Sequence, residues 1–283
     1  MGLLFIRSAT LQIGNNVYSM NDGFYFEFEV PFYDSEELTT VSFKIHNLNQ
    51  ETRGAIKKGL PVILNAGYED DMGVIFTGAV NSASSQLQDT EWIIEISAAA
   101  ILNEWLNTEV NKTYMPGTDA ENILRDLLNI FGVEVGRFEL KKNREYPRGR
   151  VCSGKLKDVL SQIVTEECGS RMLVRNNQIF INDPEAAIYN GVLLTPQTGL
   201  LISEGDNSEV LVATPDEIQT SKEEKDEKGE TKKKRCLLNH RIGAGDFVQI
   251  RSKAENGIYK VISGCHKGTP DGEWVTEIEV RPA

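Results

Sequence analysis

The sequence predicts an α+β chain that is mainly β, built as two small β-barrel-like domains with an α/β insertion between them. Three observations lead there. Apolar and polar residues alternate with a period of two in the first and last thirds of the chain, which is the pattern of strands with one buried face. The apolar spacing widens towards the helical period in the middle third, and glycine- and proline-bearing turns punctuate the alternating stretches. A chain of 283 residues with 40% hydrophobic residues can bury more than one core. The expected boundaries are 1–106 for the first β-barrel-like domain, 107–184 for the insertion and 185–283 for the second.

In the first domain the clearest strand is 24–30, where Phe24, Phe26 and Phe28 alternate with Tyr25, Glu27 and Glu29 until Pro31 ends the run. Residues 39–45 repeat the alternation through Val41, Phe43 and Ile45, and further strands are expected at 61–66, 73–80 and 91–97. Asn49 is placed to cap a short helix running to Lys57, which would plug one end of a barrel. A second short helix is expected around Ala100, Ile101, Trp105 and Leu106.

The insertion opens with Thr118-Asp119-Ala120-Glu121, which has the form of a capping box. The helix behind it would carry Ile123, Leu124, Leu127, Leu128 and Phe131 on one stripe and stop at Gly132. Another helix is expected from near Ser153, with Leu156, Val159, Leu160, Ile163, Val164 and Cys168 on its apolar face and Gly169 as a left-handed cap. Residues 171–181 read as a hairpin turning on Asn176-Asn177. In the last domain strands are expected at 200–203, 210–213, 246–252, 257–263 and 273–280. Within it, residues 221–235 hold seven basic and five acidic side chains and no apolar one, so a mobile charged loop is expected there.

That segment has a charge of +2, which leaves −14 on the rest of a chain whose total is −12. Such a surface repels duplex DNA, and no specific nucleic-acid binding is expected. The apolar runs are too short to span a bilayer, so no membrane anchor is expected, and Met1 to Arg7 lacks the form of a secretory leader. Cys152, Cys168, Cys236 and Cys265 are dispersed without metal-ligand spacing and read as buried thiols.

His46, His240 and His266 have no nucleophile or carboxylate at a catalytic spacing. The acidic groups Glu69-Asp70-Asp71 and Glu166-Glu167 read as solvated surface, and phosphate-cradling glycine loops and calcium loops are missing. No catalytic residue, cofactor or metal site is therefore expected.

The order of several pieces is more informative than any one of them. Asn47-Leu48 after a strand, Ala66-Gly67-Tyr68, and Gly78 at the end of the next strand resemble the first barrel of the phage tail and baseplate hub family, which includes late control protein D relatives. Gly245-Asp246, the run Gly257-Ile258-Tyr259-Lys260-Val261 and Trp274 are similar to that family's closing strands. The resemblance implies a structural subunit rather than an enzyme: a homotrimer whose two similar barrels per copy make a sixfold-like ring. It would join a tail tube protein to a spike protein around a channel, in contact with tape-measure and other baseplate proteins. The implied location is a virion or tail-like particle, with synthesis in the bacterial cytoplasm. The chain is short for that family and ends at Ala283, so spike and cell-wall enzymes are expected as separate polypeptides. Two alternatives stay open: a tail-tip peptidoglycan hydrolase, and a tail-tube or adaptor binding protein.

Overall fold

A computed structural model describes residues 6–35, 39–100, 108–130, 134–176, 178–186, 188, 190–201, 231–252 and 255–283. The first part of the chain forms β1 (Arg7–Ile13), β2 (Asn16–Ser19), β3 (Phe26–Tyr33), β4 (Thr40–His46), α1 (Gln50–Ala55), β5 (Pro61–Tyr68), β6 (Asp71–Gln88) and β7 (Glu91–Ala99). The middle forms β8 (Glu109–Tyr114), β9 (Thr118–Asp119), α2 (Ala120–Ile130), β10 (Glu134–Phe138), β11 (Glu145–Tyr146), β12 (Arg150–Lys155), α3 (Leu156–Ser161), β13 (Arg171–Arg175) and β14 (Gln178–Asn182). The last part contributes β15 (Asn190–Leu194), β16 (Lys232–Leu237), β17 (Phe247–Arg251), β18 (Asn256–Gly268) and β19 (Trp274–Pro282). The chain is α+β and mainly β.

Twelve strands join in one sheet, whose main path runs β15-β17-β18-β3-β4-β7-β6-β5-β1-β2 with β16 and β19 attached through β18. The path is open and closes no ring among the described residues. The two β-rich parts are therefore not separate sheets: β18, thirteen residues long, pairs with β17 through its first half and with β3 through its second. A bulge between Val261 and Ser263 in its pairing with β19 bends it between these two tasks.

The β3–β18 pairing has a steric reason. Phe32 and Phe28 stand opposite Gly264 and Gly268, and a β-carbon on these glycines would lie 2.4 and 2.1 Å from the respective rings. The rings thus lie across bare backbone, Phe28 packs edge-to-face on Trp274 at 5.4 Å, and Phe32 lies against His266.

Buried side chains fall into three larger clusters. One, drawn from β1 to β7, includes Leu11, Phe26, Phe43, Leu64 and Ile96, and reaches Trp274. A second packs α2 and α3 through Ile123, Leu124, Leu127, Leu156, Leu160 and Ile163 against β13 and β14. The third holds Val248, Ile250, Val261 and Val280. Alternation explains the strands: in β4 Val41, Phe43 and Ile45 are buried while the residues between them are exposed.

Several local expectations are met by geometry. Asn49 caps α1, its Oδ1 accepting from the Thr52 N–H at 2.7 Å. Gly169 has φ +61° and Asn176 has φ +50° at the two predicted left-handed positions.

Others are corrected. Thr118 and Asp119 pair as a strand with Tyr146 and Glu145, so the Thr118 hydroxyl donates to the Met115 carbonyl and the cap of α2 is Asp119, whose Oδ1 accepts from the Asn122 N–H at 2.8 Å. The Glu121 carboxylate turns to Arg125 instead of back to the cap. Ser153 lies in β12, held opposite Asn111 of β8, and the helix starts only at Leu156. Gln162–Glu167 then continue α3 as π-helical turns, with the Cys168 N–H donating to the Ile163 carbonyl.

The charged loop expected over 221–235 is also shorter at its end. Lys232–Leu237 form β16 against β19, and three of its four cations meet a carboxylate: Lys232 and Lys234 reach Glu255, and Arg235 reaches Glu273 and Glu277. Residues 221–230 and the expected strand 210–213 lie outside the described residues, as do Ile101, Trp105, Leu106, Phe131 and Gly132.

Candidate functional site

The positions where the three clusters meet are held by charged groups. Asp34, just past β3, accepts from Arg171 Nη1 of β13 at 2.8 Å and lies 3.1 Å from Lys260 Nζ of β18. Arg171 also donates to Asn182 Oδ1 at 3.2 and 3.0 Å and to the Ala186 carbonyl, while Lys260 donates to the Pro184 carbonyl at 2.6 Å. Burial lowers the Lys260 pKa, and the Asp34 carboxylate opposes that. One carboxylate thus receives cations from the middle and last parts of the chain.

Two further pairs repeat the arrangement. Arg175 Nη1 donates to Asp246 Oδ2 at 2.7 Å, joining β13 to the turn before β17, and the same oxygen accepts from the Gly243 N–H at 2.8 Å. Arg241 donates through both terminal nitrogens to Asp71 at 2.6 Å, and these bonds hold the Asp71 carboxyl below its ordinary pKa. Asp71 was expected on solvated surface; here it ties β6 to the loop before β17. Glu167 departs from the same expectation, since it accepts from the Tyr146 hydroxyl and from Arg150 Nη1 at 2.5 Å and is largely buried.

The motif residues read from the sequence take up both sides of this junction. Trp274 is buried and its Nε1–H donates to the Gly67 carbonyl at 3.0 Å, which links the first part of the chain to the last. A β-carbon at Gly67 would stand 2.2 Å from the Asp71 carbonyl oxygen, and one at Gly78 2.3 Å from that of Ala99. Ala66, Tyr68 and Leu48 are core residues, and burial pushes the Tyr68 phenol up to about 12. Asn47 has φ +55° and receives the Trp92 N–H on its Oδ1. Gly245, at φ +82°, donates to the Val261 carbonyl, and the Val261 N–H returns a bond to the Asp246 carbonyl. Tyr259 donates to Glu255 at 2.5 Å, two residues before Gly257.

Sequence reasoning missed Asp34, Arg171, Arg175, Asn182, Arg241 and Lys260. Lys260 lies within the run Gly257-Ile258-Tyr259-Lys260-Val261, which marks a strand but not an ion pair. The signal that was available is the Phe28/Phe32 spacing matched by Gly264/Gly268, which fixes β18 beside β3 and so brings Lys260 to Asp34.

This geometry gives little purchase for catalysis. His266 is fully buried, with Nδ1 2.8 Å from the Thr276 hydroxyl, and burial followed by the nearby Arg175 charge lowers its pKa to about 3. His240 is also lowered, first by burial and then by Arg241. The thiols of Cys236 and Cys265 are raised by burial to about 12. Among the described residues no group of three ligating side chains is placed to hold a metal ion. A groove of about 70 Å³ lies beside the junction, lined by Phe32, Tyr33, Val74, Phe76, Arg175 and His240 among others, and a wider, more open one of about 300 Å³ is lined by Glu27, Glu29, Lys44 and Lys267 among others.

A second feature is the polar face of the sheet. Glu95, Lys44 and Glu27 stand opposite one another across β7, β4 and β3, and Glu29 stands opposite Lys267 across β3 and β18. Lys267 bonds Glu277, which also approaches Arg235. One charged, largely solvated row thus crosses from the first part of the chain to the last.

The fold of this chain is similar to those of solved phage tail proteins and of a type VI secretion component. The chain is similar over 98% of its length to a tail protein from Neisseria meningitidis, covering 97% of that chain with a TM-score of 0.65 at 9% identity. It is similar to a 43 kDa prophage tail protein from Shewanella oneidensis with a TM-score of 0.65 at 11% identity, covering 97% of this chain and 98% of that one. An Escherichia coli component of the type VI secretion system, itself described as structurally similar to bacteriophage T4 tail proteins, gives a TM-score of 0.56 at 12% identity, covering 96% of this chain and 76% of that one. No family model matches the chain, and no curated protein gives a significant match.

Proposed function

We propose that this chain is a structural hub subunit at the tail tip of a phage or phage-tail-like injection particle. In this reading three copies form a ring that joins a sixfold tail tube protein to a threefold spike protein around a channel. The domains would be 1–106 and 185–283 as the two quasi-equivalent modules and 107–184 as the insertion. The observation that carries the reading is the junction: β18 pairs with β3, and Asp34, Asp71 and Gly67 of the first part each receive a donor from the last part, so both modules turn as one unit. A symmetry adaptor needs this, because two modules that rocked independently could not present six equivalent faces. The end-to-end likeness to tail proteins supports the same reading.

The charged sheet face supports a channel role. The carboxylates there pair with Lys44, Lys267 and Arg235, so among the described residues the face would offer a passing anionic polymer no free cation to adhere to. Solution mass together with particle class averages tests the proposal. Threefold or sixfold rings are expected, and assembled particles in which the chain forms neither would end it. Replacing Glu27, Glu29, Glu95 and Glu277 by Gln is expected to slow polymer passage through assembled particles without loss of rings.

A further inference from the structure

The long strand β6 changes partners halfway. Asp71 to Ala79 pair with β5, and Ala79 to Gln88 pair with β7. On the side that β5 has left, residues 81–88 have no strand beside them among the described residues. Half of the backbone N–H and C=O groups of that stretch face away from β7, and such an edge is a template for another strand.

Exposed edges are ordinarily guarded by lysines, prolines or inward-turned charges. β16 is guarded in this way by Lys232, Lys233, Lys234 and Arg235. Residues 81–88, Asn-Ser-Ala-Ser-Ser-Gln-Leu-Gln, carry no charge and no proline. All but Ala83 are exposed, so the strand extends as an arm beyond the core. At the arm's end Leu87 and Trp92 are cross-strand partners with 56% and 40% of their surface exposed, and Arg53 stacks over the indole at 3.7 Å. An unguarded edge and an uncovered apolar pair thus occur together on one hairpin.

We propose that residues 81–88 pair, edge to edge, with a strand of a second copy of this chain. One observation limits where copies can meet, and another favours a second copy over another protein. Copies with a net charge of −12 repel each other, and the repulsion is least along an uncharged strand. The chain also offers complementary edges: β2 and β15 end the sheet path, each is paired on one side only among the described residues, and neither holds a charge or a proline. Pairing the arm of one copy with an end strand of the next is head-to-tail, and a head-to-tail contact closes into a ring where its rotation closes and grows a filament where it does not. The inference rests on the reading that the chain works as an assembly of copies.

The test uses the full chain and the double variant Ser82→Lys/Ser84→Lys, which guards the edge. Ser84→Lys sets a cation opposite Glu95 and Ser82→Lys one opposite Ser97, so the β6–β7 pairing is retained. Near-ultraviolet circular dichroism is expected to match the parent, and Thr113→Lys on β8 serves as a surface control. With rising concentration the parent is expected to gain mass by whole copies while the amides of 81–88 gain protection from hydrogen exchange. The double variant is expected to need at least about tenfold more protein for the same step. A parent that stays single into the sub-millimolar range overturns the inference, as does assembly in which the 81–88 amides exchange at the single-copy rate. A closed dimer built on this edge upholds the inference and removes the hub reading. Rings that leave the edge unprotected do the reverse.

Discussion

Replacing Arg171 by Met tests whether the charged junction holds the parts of the chain together. The guanidinium and its Asp34 partner are each 8% exposed at the side chain. Methionine keeps most of the stem but removes the bonds to Asp34, the two to Asn182 Oδ1 and the one to the Ala186 carbonyl. Removing one member of a buried pair costs about 3–5 kcal/mol, because the other charge remains desolvated. Lys260 still lies 3.1 Å from Asp34, so the loss falls at the lower end, about 3 kcal/mol. At about 1.4 kcal/mol for each factor of ten, the junction opens roughly a hundredfold more often. Native-state hydrogen exchange at β13, β14 and the first half of β18 reads this directly, without assuming that a chain with several cores unfolds in one step. The exposed pair of Arg125 with Glu121 on α2 supplies the contrast: Arg125→Ala is expected to cost about 0.5 kcal/mol or less. If Arg171→Met changed exchange no more than that control, the junction would not be what couples these parts.

Gly268→Ala is expected to destabilise by about 1–3 kcal/mol, since the added carbon meets a Phe28 ring that Trp274 prevents from swinging away; a thermal scan showing no loss would refute the packing argument. Glu255 combines a burial effect that raises its pKa with hydrogen bonds from Lys232, Lys234 and Tyr259 and the Lys234 charge, which together outweigh it and bring it from 4.5 down to about 2. Its contribution is therefore present above about pH 4.5 and lost as pH falls through about 2, and Glu255→Gln should flatten the stability profile across that window in acid titrations. His266 has a folded-state pKa lowered from 6.5 to about 3, so the unfolded chain binds a proton that the folded chain refuses. Stability should fall as pH drops below 6.5 towards 3, and His266→Gln, which retains a partner for Thr276, should remove that slope in denaturant titrations.

Local order was legible wherever one residue type and its neighbours suffice. Val41, Phe43 and Ile45 announce a strand by period alone, Asn49 announces a cap, and Gly169 a left-handed stop, because each effect spans no more than a helical turn or a pleat. Reading failed where two local options compete. Thr118 and Asp119 can both cap α2, and the pairing with Tyr146 and Glu145 decides for Asp119. Ser153 is an acceptable helix start, but the β8 strand opposite it draws it into a ladder. The cations at 232–235 belong to a solvated run by composition, yet they pair with β19 as a strand, and Glu255 meets Lys232 and Lys234.

By itself, then, the sequence determined the mainly β α+β class, the places of most strands and helices, and the dominance of negative charge. These follow from interactions between residues close along the chain. Tertiary structure alone decided that both β-rich parts share one sheet, that Asp34 sits between Arg171 and Lys260, and that the outer half of β6 has, among the described residues, a strand on its β7 side only. Each of those depends on which distant segments meet. A carboxylate looks the same in sequence whether water or a buried guanidinium will face it, and only the register of β18 against β3, set by two rings lying over two glycines, makes the choice.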